Sequence, residues 1–197
     1  MAKGWLRNNL WMGAAIAALA PLVAAGAEER SSAAPSPKAV EAIRLLESRD
    51  AYQRQLGFLR LEALREASTV PTIRTYAQNR DPDVRAYSLR ALAAIEGSAA
   101  IPQLLQALSV DKQPVVRRAA LLGLEPLEQN VLNADVLLAF IKALRDPSTE
   151  IRMTAVDIVS RIDHPRAREA ILMRYKKEHR RDVRRVLELA MKRLRAG

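Results

Sequence analysis

The chain has 197 residues, with 32 Lys and Arg against 22 Asp and Glu, a formal net charge of +10 and no cysteine. The missing thiols exclude disulfides, thiolate metal sites and a cysteine-linked lipid anchor. His164 and His179 are too far apart to make a metal-ligand pair of the HExxH kind, so neither a metal nor a cofactor is expected.

Residues 1–27 have the three-part layout of a secretory signal. Lys3 and Arg7 give a positive start, residues 10–23 are apolar and Ala-rich, and Ala25, Gly26 and Ala27 supply small residues before Glu28. This predicts cleavage after Ala27 and a periplasmic or secreted protein. The alternative is an uncleaved inner-membrane anchor facing the periplasm, since the apolar stretch carried on to Ala27 is about 18 residues, near the lower limit for a span. Pro21 and the many Ala and Gly weigh against it. Residues 28–37, EERSSAAPSP, hold no large apolar side chain and predict a flexible linker. The folded part is then 38–197. Its charge is uneven, because residues 28–164 carry 18 basic and 18 acidic side chains, whereas residues 165–197 carry 12 basic and 4 acidic ones.

A single pattern recurs through the folded part. It begins at Gln53-Arg54, Val84-Arg85, Val116-Arg117 and Ile151-Arg152, at intervals of 31, 32 and 35 residues, with a weaker fifth copy at Val183-Arg184. Five, eight and eleven places after each start stand apolar residues: Phe58, Leu61, Leu64; Leu89, Leu92, Ile95; Leu121, Leu124, Leu127; Val156, Val159, Ile162. Helical spacing within each copy predicts first helices at 51–66, 82–96, 113–128 and 148–162, and second helices at 70–79, 100–108, 134–145 and 166–178. Asn79 and Asp81 before Pro82, Asp111 before Pro114, and Asp146 before Pro147 are start signals. The class is therefore all-α, a solenoid of four to five stacked helix pairs, none of which buries its apolar face alone.

The segments DPDVRAYSLRALAAIEGSAAIPQLLQAL from Asp81 and DPSTEIRMTAVDIVSRI from Asp146 resemble HEAT repeats of the short bacterial type, including those called phycobilisome-lyase-like. The likeness spans roughly residues 50–195. It implies a right-handed superhelix with a concave face lined by the second helices. It also implies that the recurring Arg54, Arg85, Arg117 and Arg152, with Arg184 in the last copy, pair with Asp of neighbouring turns and hold the units in register. Asp50, Asp81, Asp111 and Asp146 stand ready as partners. A basic stripe for phosphate is the competing reading.

Two surfaces are candidates for binding. On the second helices, Thr72, Thr75, Gln103, Gln106, Ala139 and Lys142 alternate with buried positions and suit a protein partner on the concave face. At the C-terminal end, Arg174, Lys176, Lys177, Arg180, Arg181, Arg184 and Arg185, with Arg166, Arg168, Lys192, Arg193 and Arg195 around them, suit a polyanion or an anionic membrane surface. The plain alternative is a solvated outer face on a capping helix whose buried stripe is Val183, Val186, Leu187, Ala190, Met191 and Leu194. Base stacking is disfavoured, because both Trp lie within residues 1–27 and Phe58 is at a core position. HEAT-like DNA glycosylases use aromatic and acidic residues that have no counterpart here.

No catalytic group is set up by spacing. Asp163 before His164-Pro165 suits a helix cap, and Ser160 lies three places before it on one helix. Bilin lyases share such repeats, but the short chain and the lack of Cys point away from that activity. The expectation is a monomeric, non-enzymatic scaffold exported to the bacterial cell envelope, binding another protein on its concave face. The alternative is a polyanion or lipid binder working through 165–197.

Overall fold

The computed structural model describes residues 34–128 and 133–196, so the secretory-signal reading and residues 28–33 of the linker reading lie outside it. Among the described residues ten α-helices follow one another: α1 (Pro37–Leu46), α2 (Ala51–Leu64), α3 (Val70–Tyr76), α4 (Pro82–Glu96), α5 (Ile101–Val110), α6 (Pro114–Glu128), α7 (Ala134–Ala143), α8 (Thr149–Val159), α9 (Pro165–Lys177) and α10 (Arg181–Ala196). No strand occurs among the described residues.

The even-numbered helices are the first helices of the units, and they form one layer in which α4 packs between α2 and α6, and α8 between α6 and α10. The odd-numbered helices form the second layer, with α7 against α5 and α9. The fold is an α-solenoid. Its core is the run of repeat positions, with Phe58, Leu61, Leu89, Leu92, Leu121, Leu124, Val156 and Val159 all buried. From the second layer Ile73, Leu104, Phe140 and Ile171 interleave with them. The 35-residue interval belongs to the third unit, where residues 129–133 separate α6 from α7.

The fold begins before the first copy of the pattern. Ser36 caps α1 and its hydroxyl and amide both donate to Glu66, at 2.5 and 3.0 Å, so residues 36 and 37 are part of the structure rather than the end of a tether. Helix α1 lacks the Arg of the repeats, which is why the pattern does not reveal it. It reaches α2 through Gly57, where a Cβ would stand 2.7 Å from Leu46 Cδ2 and 2.8 Å from the Ala42 carbonyl oxygen. The second of these is backbone and cannot swing away. Gly57→Ala should therefore cost about 1–3 kcal/mol by overpacking. Amide exchange should rise in α1 first, with α6 to α10 unchanged.

Candidate functional site

The recurring arginines form a ladder along the junctions between units. Each enters the same socket: Nη1 donates to the carbonyls six and five residues upstream, and the remaining guanidinium edge crosses to an acid of the next unit. For Arg85 these are Asn79 O at 2.9 Å and Arg80 O at 3.1 Å, with Asp111 held by two bonds of 2.9 and 3.0 Å. Arg117 repeats this on Asp111 O, Lys112 O and, at 2.8 Å twice, Asp146. Arg54 makes a single 3.1 Å bond to Asp81, and Arg152 reaches Glu178 at 3.0 Å. The fork of a guanidinium is what permits one side chain to satisfy two carbonyls and a carboxylate together.

Each acid also serves its own helix. Asp81 accepts from the Asp83 amide at 3.0 Å, Asp111 from Gln113 at 2.9 Å, Asp146 from Ser148 at 2.7 Å, and Glu178 from His179 and Arg180 at 3.0 and 2.9 Å. One carboxylate thus turns the chain and locks the preceding unit. Asp111 is held below the ordinary carboxylate range because hydrogen bonds from Arg85 and the Gln113 amide outweigh its burial. Arg85 and Arg117 engage Nε, Nη1 and Nη2 in these bonds, and all four arginines are turned into the junctions rather than set out as a phosphate stripe. Arg184 departs from it: its guanidinium lies 4.7 Å over the Tyr175 ring, and Glu188 is 4.0 Å away.

The basic cluster is divided by the same geometry. Arg174 is half-buried and bound to Glu178, so it is structural and does not belong to a free patch. Arg180 pairs with Asp182 at 3.3 Å, and Arg193 donates to Ser160 Oγ at 2.9 Å. Lys176, Lys177, Arg181 and Arg185 are exposed. The aromatic rings are largely absorbed: Phe58 packs edge-on against Tyr76 and stacks with Tyr87, Phe140 is buried, and Tyr175 lies under Arg184. Tyr52 remains exposed.

The face lined by the second helices holds a chain of hollows. One of about 290 Å³ lies between α3 and α5, lined by Gln78, Asn79, Gln103, Gln106 and Val110. The next, about 670 Å³ between α5 and α7, is lined by Leu105, Gln106, Leu138, Ala139, Lys142 and Arg145 among others. A cleft of about 30 Å³ between α7 and α9 follows, with Ile141, Arg145, Met173 and Lys177. Gln106 lines the first two and Arg145 the last two, so the hollows adjoin. Gln103, Gln106, Ala139 and Lys142 stand where the sequence places them. Thr72 and Thr75 do not line these hollows, and the Thr75 hydroxyl donates to the Thr72 carbonyl at 2.8 Å. Sequence reasoning missed Leu138, which is 49% exposed, and Arg145; together with Lys177, which it assigned to the C-terminal basic cluster, Arg145 makes this face cationic toward α9.

The small catalytic candidates have structural partners. His164, rather than Asp163, caps α9, its Nδ1 accepting from the Arg166 amide at 3.1 Å, while Asp163 pairs with Arg168 at 2.9 Å. Ser160 Oγ donates to the Asp157 carbonyl at 3.0 Å.

The family described as HEAT repeats matches residues 37–125 and 101–192. The chain belongs to the HEAT-repeat family. Among curated proteins, none matches it. A solved structure, the complex of CpcE and CpcF of phycocyanin lyase from Nostoc sp. PCC7120, contains a chain similar to this HEAT-repeat protein at 26% identity and a TM-score of 0.61. The match covers 78% of the present chain and 97% of that one. It corrects the expectation of a non-enzymatic protein, since the similar chain is part of a lyase. A short chain is no argument against such an activity when the lyase chain is itself matched over almost its whole length.

Proposed function

We propose that this HEAT-repeat protein is a partner-docking subunit exported to the bacterial cell envelope, which takes a second protein on its concave face. Helical repeats of this kind are protein-interaction scaffolds, and CpcE and CpcF are themselves found as a complex. The likeness to a lyase makes enzymatic work by the joined assembly part of the proposal. Export rests on the layout of residues 1–27.

The observation that carries the reading is the run of adjoining hollows along the second helices, with Leu138 exposed beside the largest. A preformed groove lowers the ordering cost of association, and a partially apolar floor supplies its drive. The test is co-purification of a partner with the tagged full chain from cells. Leu138→Asp should remove the partner while leaving the helical signal unchanged. Leu122→Asp, on α6 of the other layer, should retain it. Equal retention by both variants would overturn the concave-face reading. The mature N-terminus, read by mass spectrometry of the same preparation, should begin at Glu28; a retained Met1 would contradict cleavage.

A further inference from the structure

The second-helix face is graded in charge. Around the hollow between α3 and α5 the uncharged polar groups are amides, Gln78, Asn79, Gln103 and Gln106, and Arg85 and Asp111 there are spent on each other. Toward α9 the lining changes to Lys142, Arg145 and Lys177. None of these three has a carboxylate partner among the described residues. Asp146, in the same groove, is committed to Arg117, and Glu178 to Arg152 and Arg174. Asp135 also lines the groove, at the opposite end of α7 from Lys142 and Arg145. The three cations flank exposed apolar side chains, Leu138 at 49% and Met173 at 46%.

Resting on the concave-face reading above, we infer that the partner presents an acidic amphipathic helix. It lies across α5, α7 and α9, with an apolar side chain beside Leu138 in the 670 Å³ groove and carboxylates at Lys142, Arg145 and Lys177. The helix follows from the backbone. The described residues include no strand, so there is no sheet edge on which an extended segment could satisfy its amides. A segment that already bonds its own backbone and offers a row of side chains is what such a groove accepts. Its polarity follows from the charges: the acidic end lies toward α9, and the end toward α5, where Gln103 and Gln106 line the face, is uncharged.

The full chain would be titrated with two fluorescent helical peptides that share one leucine stripe, the first flanked by Glu and the second by Lys. The Glu peptide should bind at least about tenfold more tightly, the effect of a modest charge complementarity. Lys142→Glu with Arg145→Glu and Lys177→Glu should reverse that preference at unchanged helicity. Leu138→Asp should weaken both peptides. Equal binding of the two peptides, or a preference that the triple variant leaves intact, would overturn the acidic-helix inference while a Leu138→Asp effect still upheld docking on this face. Indifference of both peptides to Leu138→Asp would sink the docking reading itself. Displacement of the Glu peptide by a single-stranded oligonucleotide at equal concentration would reassign the three cations to a polyanion and overturn the inference.

Discussion

Arg117→Ala should lower the stability of the protein by about 3–5 kcal/mol, the cost of leaving a buried ionic partner uncompensated. Arg117 and Asp146 are 11% and 8% exposed as side chains, and removal of the guanidinium strands the carboxylate together with the carbonyls of Asp111 and Lys112. In a chain of this size each kcal/mol moves the melting midpoint by about 2–4 °C, so the fall should be on the order of 10 °C. The same change at Arg54 should cost only about 1 kcal/mol, because its partner Asp81 is 39% exposed and held by one bond. Thermal unfolding followed by circular dichroism checks both. Because the ladder is the polar link between stacked units, and Arg117 of the α6–α7 unit crosses to Asp146 just before α8, Arg117→Ala should also separate the transition of α1 to α7 from that of α8 to α10. An unchanged single transition would deny the ladder its role in register.

Acid stability should depend on Glu178. Its side chain is 2% exposed, and burial pushes its pKa up, but hydrogen bonds from Arg174, the Arg180 amide and Arg152 outweigh burial and hold it at about 2. The folded value is thus depressed below the ordinary 4.5. The stabilisation is complete above pH 4.5 and is lost as pH falls toward 2, amounting to about 3 kcal/mol. Glu178→Gln should cost a similar amount at neutral pH, about 3 kcal/mol or somewhat more, since Arg152 is left buried without its carboxylate. It should also flatten the stability curve between pH 4.5 and 2. Amide exchange should locate the loss in α9 and α10. A Gln variant with the parent's acid slope would place the titration elsewhere.

The fold was legible because one constraint, stacking, imposes the same residues on every unit. The arginines and the apolar triplets of α2, α4, α6 and α8 mark themselves by period, and the observed helix bounds lie within a few residues of the sequence reading. Helix α1 was not legible, since it carries neither the recurring Arg nor the apolar triplet of a first helix, and its contact with α2 depends on a missing side chain at Gly57. The functional surface was legible only in part. Gln103, Gln106 and Lys142 follow from helical alternation, but Leu138 reads as core by its chemistry, and Arg145 lies beyond the end of α7. The seven-residue basic patch was over-read because sequence density does not show pairing: Arg174 faces Glu178 and Arg184 faces Tyr175.

The measurement that bears most directly on docking is photo-cross-linking in intact cells, with a photoreactive residue at position 138 of the full chain in one strain and at 122 in another. The account predicts a discrete protein adduct from position 138 that is absent from position 122. The same adduct from both positions, or from 122 alone, would contradict it.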